Sequence, residues 1–282
     1  MKNLTAIYWI KNETIYLPEY IEFHLLQGFD YFIFYDNKSD DNLLEIMSPY
    51  IDEGLVEIRY YPEDLKTSKN FWLMHYCISE QKGKTKWLHF HAVDERLFCL
   101  DGTNLVEFLK NYENFGGLSV GWYLFNSNGH EKRPEGLIID NYTNASYDPL
   151  CHIKTIIQPD KTFSTIGTPH NFVFDNTYAV DENFNIVKTS FNSENYSLNK
   201  ILLHHYYTMS REEYNIKQSK GLLDINQEDS FRQGFEEGWI HAHSDSLKYH
   251  HNDFLCKFSE KVKKNIKDRY INKPNLLQYI NH

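Results

Sequence analysis

Asp94 and Glu95 close an apolar run that opens at Trp87 and includes Leu88, Phe90 and Val93, and carboxylates in that position can hold a hard cation. A buried strand of a mixed sheet delivers its last residues to the sheet's carboxyl edge, where ligands collect. A divalent ion there would in turn grip a diphosphate. The competing reading of residues 86–97 is a solvated loop after a core strand. The chain has 14 histidines but no HExxH spacing, which argues against a hydrolase built on a histidine-bound metal.

The elements that must position this pair read as an alternation. Leu4 to Ile10 is a short apolar run, and Tyr16 to Gln27 carries Leu17, Tyr20, Ile21, His24 and Leu25 at helical spacing, with Pro18 in the first turn and Gly28 as the stop. Tyr31 to Tyr35 is a second strand, followed by Leu43 to Ile51 as a helix capped by Asp40 or Asp41. Leu55 to Tyr60, a helix over Asn70 to Gln81 and a strand over Trp87 to Val93 complete a β-α-β-α-β-α-β order. Such an order predicts a largely parallel sheet with right-handed crossovers. Beyond residue 100 strands are expected at Leu118 to Phe125, Gly136 to Asp140, Ile153 to Ile157 and Asn171 to Phe174. Helices are expected at Arg211 to Lys220, Gln227 to Gly238 and Asp253 to Arg269. Residues 1–240 read as one domain and 241–282 as a helical C-terminal extension.

Composition narrows the function classes. At 282 residues the chain can bury a full core, and a net charge of −10 argues against a nucleic-acid groove. The 16% aromatic content favours pockets that stack rings or sugars. Cys77, Cys99, Cys151 and Cys256 lack CxxC spacing, so neither a disulfide framework nor a zinc knuckle is expected. No apolar run approaches a membrane span, and Met1-Lys2-Asn3 leads directly into a strand, so a cytoplasmic protein is expected. The lysines between Lys257 and Arg269 could rest on an anionic membrane, or simply face water.

Several blocks in order resemble glycosyltransferase family 92 and related GT-A proteins. They are Lys11-Asn12-Glu13, Leu17 to His24, Gly28, Tyr35 to Asp40, and Trp87 to Leu97 against the family's Trp-x-x-Phe-x-Asp-x-Asp-Glu-Phe-Leu. Gly121 to Phe125, Arg133 to Leu137, Lys154 to Ile156 with Pro159, His170-x-Phe172, and His205-Tyr206 with Ser210, Glu212, Glu213, Tyr214, Lys217 and Gly221 continue the order. The resemblance covers about residues 4 to 221. It implies a GT-A-like, Rossmann-related α/β fold, a nucleotide-sugar donor such as a UDP-sugar, a manganese or magnesium ion, and transfer to a glycan acceptor with inversion. The chain departs from the pattern at Ala92, where the first acidic residue of the DxD motif stands, and at Arg96, where an aromatic is usual. Either Asp94 serves as the main carboxylate ligand with a histidine's help, or the metal site is weakened, or the alanine is a deliberate replacement. A catalytically silent sugar-nucleotide or glycan-binding relative is therefore the alternative.

Site roles follow from what such a transfer needs. Asp94 is the first metal ligand, and His170 and His205 match the family's histidines that can complete the shell. Asn12 and Glu13 after the first strand, and Asp36 and Asn37 after the second, suit a uracil edge and a ribose, while Lys154 can pair with phosphate. Glu95, Glu135 and Asp140 are the candidates for the base, and Trp122 and Tyr123 for an aromatic platform under the acceptor.

Overall fold

Apolar runs long enough for a strand, separated by amphipathic segments, fold into parallel strands joined by helices up to Phe90. The structure, a computed structural model, describes residues 1–61, 69–148, 151–166, 168–219 and 236–280. Its first half contains β1 (Lys2–Ile10), α1 (Leu17–Gln27), β2 (Tyr31–Asp36), α2 (Leu43–Asp52), β3 (Val56–Tyr60), α3 (Lys69–Gln81) and β4 (Thr85–Phe90). These strands lie in the order β3-β2-β1-β4, all parallel. The order reverses at β1, and that reversal opens a crevice beyond the carboxyl ends of β1 and β4. Side chains alternate across the sheet. Ile7, Ile33 and Leu88 pack with Leu73, Met74 and Ile78 of α3, whereas Ala6, Phe32 and Trp87 join the core shared with α1 and α2.

The second half is mixed. It comprises β5 (Glu95–Cys99), α4 (Leu105–Leu109), β6 (Gly117–Phe125), α5 (Ile138–Asn141), β7 (Asn144–Tyr147), β8 (Ile153–Ile157), β9 (Thr162–Thr165) and β10 (Phe172–Phe174). After these come β11 (Ala179–Val180), β12 (Ile186–Val187), β13 (Ile201–His205), α6 (Arg211–Ser219), a helix over 236–242 (α7), β14 (His250–His251) and α8 (Ser259–Arg269). β8 joins β4 to β6 antiparallel. β6 then changes partners along its length: residues 117–121 pair with β8, and residues 122–125 with β13 and β7. At the change, the Tyr196 hydroxyl accepts from the Trp122 amide at 3.1 Å and lies 2.7 Å from the Trp122 carbonyl oxygen. Gly121 allows this, because a Cβ there would strike the Tyr196 ring and Leu198.

The expected class, α/β with a mixed, mainly parallel sheet flanked by helices, is the one the chain forms. Several expected bounds differ. The strand read over Trp87 to Val93 ends at Phe90, and residues 91–94 turn instead. Gly136 to Asp140 is not a strand: the buried carboxylate of Glu19 accepts the amides of Ile138 at 2.7 Å and Ile139 at 3.3 Å, so the segment coils into α5. α2 is capped neither by Asp40 nor by Asp41. Asn42, at φ +57°, takes the cap position while Asp41 accepts the Thr14 amide at 2.9 Å. The segment read as a helix from Asp253 begins with a 3₁₀ turn over Phe254–Phe258. Of the helix expected over Gln227 to Gly238, residues 227–235 lie outside the described residues, as does the stop at Gly221.

Candidate active site

A cavity of about 150 Å³ lies in the crevice predicted by the strand order. Asn12 and Glu13 reach it from the end of β1, Ala92, Val93 and Asp94 from the turn after β4, and Glu213 and Lys217 from α6. Arg133 lines it too, and its guanidinium makes no ion pair among the described residues.

Each wall has a local cause. Arg96 is fully buried and donates to the carbonyls of Val93 at 2.7 Å and Glu95 at 2.8 Å, and to Glu19 Oε1 at 2.9 Å. Glu95 Oε2 accepts the Ala92 amide at 3.0 Å and the Lys154 ammonium at 2.7 Å. The turn bearing Asp94 is thus fastened from both sides. α6 opens on a capping box: Ser210 Oγ accepts the Glu213 amide at 3.2 Å, and Glu213 Oε2 accepts the Ser210 amide at 3.0 Å. The same carboxylate accepts the hydroxyls of Tyr16, at 2.7 Å, and Tyr142. That hub ties α6 to the segment before α1 and to the end of α5.

Asp94 is the charged centre. Lys217 Nζ lies 2.6 Å from its Oδ2 and His205 Nε2 lies 3.6 Å away. Burial opposes ionisation, yet Lys217 and His205 hold the carboxyl well below the usual carboxylate range. Lys217 is partly buried, which works against its charge, and Asp94 more than offsets that, keeping the ammonium charged. Behind the turn, the rings of His24 and His91 meet at 4.3 Å and those of His89 and His91 at 4.7 Å. Burial first, and neighbouring cations after it, push these three imidazoles well below the ordinary histidine value, so they pack as neutral rings.

The residues singled out from sequence scatter around this centre. Asn12, Glu13 and Asp94 share the cavity. Asp36 does not line it; its Oδ1 accepts the Ser39 amide at 2.9 Å, and the Asn37 amide donates to the Ile10 carbonyl. Lys154 is committed to Glu95. Asp140 faces α8, accepting from Ser259 Oγ at 2.6 Å and Lys263 Nζ at 2.8 Å, and Glu135 is exposed outside the cavity wall. Trp122 and Tyr123 are neighbours on a strand and point to opposite faces. Trp122 is buried against His205 (5.1 Å), His170 (5.6 Å) and His152 (5.3 Å), whereas Tyr123 packs on Tyr147 at 4.7 Å, so they form no common platform. His170 donates Nδ1–H to the Ile153 carbonyl at 2.6 Å, and burial, with Lys154 nearby, lowers its pKa to about 4.

Of the three metal ligands expected, the structure brings two together. Asp94 Oδ2 and His205 Nε2 face each other at a distance too long for a hydrogen bond, and no group of three or more His, Cys, Asp or Glu suited to a metal occurs among the described residues. A carboxylate and an imidazole are ligand types that a divalent transition metal accepts, and two are too few for an all-protein cage. Sequence reasoning assigned no role to Arg96, Glu213 or Lys217, which stand only among the family-like blocks, and did not single out Asp148 or His152. The Ser210-x-x-Glu213 spacing was the one local signal for a capping box.

A family model described as glycosyltransferase family 92 matches residues 4–232. A glycosyltransferase family 92 protein of Oryza sativa subsp. japonica is 27% identical over 167 residues, which is 58% of this chain and 28% of the rice protein. One of Ricinus communis is 27% identical over 168 residues, covering 58% of this chain and 30% of its own. The matched segment thus spans less than a third of the length of these relatives. Among solved structures, residues 1–349 of S. aureus TarS align at a TM-score of 0.41 with 12% identity, covering 99% of this chain and 81% of that one. The same protein in complex with UDP aligns at 0.36 with 10% identity, covering 86% and 71%.

Proposed function

This chain belongs to glycosyltransferase family 92, and on that footing we propose that it transfers a sugar from a nucleoside diphosphate donor, a UDP-sugar in our reading, to a glycan hydroxyl with inversion. One observation carries the proposal. A cavity at the reversal point of a parallel sheet joins a charged Lys217, an ionised Asp94 and Arg133, which is the equipment for stabilising a departing diphosphate. Its volume of about 150 Å³ suits a diphosphate and falls below the ~300 Å³ at which pockets for whole ligands begin, so the nucleoside rests over the loops after β1 and β2.

Asn12 and Glu13 face the nucleoside side. Lys217 has three N–H donors; one serves Asp94, a second approaches the Tyr207 carbonyl at 3.4 Å, and the remainder serves phosphate oxygen. Arg133, whose backbone amide is bonded to Glu212 of α6, adds a forked donor to the same cavity. Asp94 and His205 would hold a manganese or magnesium ion, which supplies Lewis-acid neutralisation of the diphosphate when bound. Arg96 and Glu95 keep Asp94 in place before the donor arrives.

Ala92 favours a second reading, a sugar-nucleotide-binding relative without turnover, because it lines the cavity where a second carboxylate would strengthen the metal site. A panel of UDP- and GDP-sugars with manganese, scored by release of the nucleoside diphosphate, tests the first reading. Release from at least one donor, lost in Lys217→Ala, is the expected result. Binding of UDP without release in both the parent and Ala92→Asp would hand the site to the second reading, and no binding of any nucleotide overturns both.

A further inference from the structure

Transfer to a hydroxyl frees a proton, and the carboxylates first considered as its acceptor are engaged elsewhere or lie outside the cavity. Glu95 is bonded to Lys154 and to the Ala92 amide, Asp140 to Ser259 and Lys263, and Glu135 stands in solvent outside the cavity. We propose that His152, oriented by Asp148, takes that proton, and that the groove beside it over residues 186–195 seats the acceptor sugar; this rests on the transferase reading above.

His152 and Asp148 form a dyad. His152 Nδ1 lies 2.7 Å from Asp148 Oδ2, and the same oxygen accepts the His152 amide at 2.8 Å. Asp148 is 3% exposed, while the His152 side chain keeps 27% of its surface open. An Nδ1–H committed to a buried carboxylate leaves the Nε2 lone pair as the proton acceptor. The other titratable ring facing it is His170, with centroids 6.1 Å apart.

The dyad sits beside the groove at Phe191, and the buried Trp122 indole separates it from the cavity at Asp94. On one side its imidazole lies flat on Trp122, at 5.3 Å and 18°, and Trp122 also touches His205, the neighbour of Asp94. On the other it meets the half-exposed ring of Phe191 at 4.6 Å. Phe191 opens a groove of about 430 Å³ whose walls include Lys188, Asn192, Ser193, Glu194 and Asn195. Amides, a hydroxyl and a carboxylate around an open ring suit a saccharide, whose hydroxyls take the polar rim and whose C–H face takes the ring. A backbone bridge between His152 and Phe191, and the Asn192 amide bonded to the Cys151 carbonyl at 3.0 Å, lock groove and dyad in one register.

In the step itself, the acceptor oxygen forms a bond to the anomeric carbon as the bond from that carbon to the diphosphate oxygen breaks. The bonding pair leaves with the diphosphate, and the hydroxyl proton passes to His152 Nε2 and then to water.

Two measurements on the full chain test this. With a donor that the parent turns over, and p-nitrophenyl glycosides as acceptor probes, His152→Ala lowers kcat by about a hundredfold or more while the donor KM stays within a few-fold, and excess imidazole restores part of the rate. Asp148→Asn lowers kcat with the same unchanged donor KM. By saturation-transfer NMR, the same glycosides receive magnetisation from the parent and lose it in Phe191→Ala. Full activity in His152→Ala, no rescue by imidazole, or glycoside contacts indifferent to Phe191→Ala overturns the inference. A parent inactive on every donor instead sinks the transferase reading, and this one with it.

Discussion

Lys217 and His205 both address one oxygen of Asp94, so a divalent ion has to displace or share with an ammonium before it can bind there. Manganese affinity in the nucleotide-free chain should therefore be weak and should rise by about tenfold, ~1.4 kcal/mol, in Lys217→Met and in Ala92→Asp. Calorimetric titration with manganese, with and without UDP, checks this; tight binding to the nucleotide-free parent would contradict it. A second expectation at this scale concerns pH. His24, His89, His91 and His204 have folded-state pKa values lowered by burial, His204 to about 3, below the unfolded value of about 6.5. Above that value neither state binds the proton and pH has no leverage. As pH falls through about 6.5, the unfolded chain takes up protons that the folded one refuses, so stability drops, on the order of 1 kcal/mol per histidine at pH 5.5. Urea midpoints at pH 7.5 and 5.5 read the loss, which should shrink in His204→Phe.

At the scale of elements, one buried ion pair sets the turn on which the chemistry depends. Glu19 of α1 and Arg96 of β5 are both buried, and between them they bond α5, the Val93 carbonyl and the Glu95 carbonyl. Arg96→Leu strands the Glu19 charge, and a loss of about 3–5 kcal/mol is expected. Glu19→Gln keeps the two amides only in part and should cost less. Thermal denaturation ranks the two, and equal effects would show that Arg96 acts through its bulk alone. The sequence carried much of this layer, because strands and helices up to Phe90 follow apolar spacing and punctuation by Pro18 and Gly28. What it hid has a common cause. The Gly136 to Asp140 segment coils because a carboxylate more than a hundred residues earlier captures its amides, and Asp140 turns to α8, so tertiary partners overrode local pattern. The carboxyl edge at Asp94 was legible, since it needs only the order of strands. The dyad of Asp148 and His152 was not, because nothing in its sequence announces the contact with Trp122.

For the molecule as a whole, the C-terminal segment belongs to the main core. Leu255, Val262, Ile266, Tyr270, Leu276 and Ile280 are buried in the same cluster as Phe23 and Tyr50, and Arg269 pairs with Glu22 at 3.1 Å. The apolar face of α8, with Val262 and Ile266, packs on α1, while Lys261, Lys264 and Lys267 face outward. No helix among the described residues is long and apolar enough to cross one. Removing residues 253–282 should abolish cooperative unfolding, each buried apolar side chain being worth about 1.5–3 kcal/mol. A truncated chain that melts like the parent, and a parent that floats with anionic liposomes, would together make this segment a detachable basic anchor.

The carboxylate of Glu213 has a bearing on how the chain reaches this state. Its bond to Tyr16 spans 197 residues and its bond to Tyr142 spans 71, so the cavity gains its α6 wall only when early and late parts of the polypeptide meet. Long loops close slowly and late. During refolding, the parallel strands should gain their native signal first and nucleotide affinity should trail behind, making the binding pocket the last part of the protein to mature.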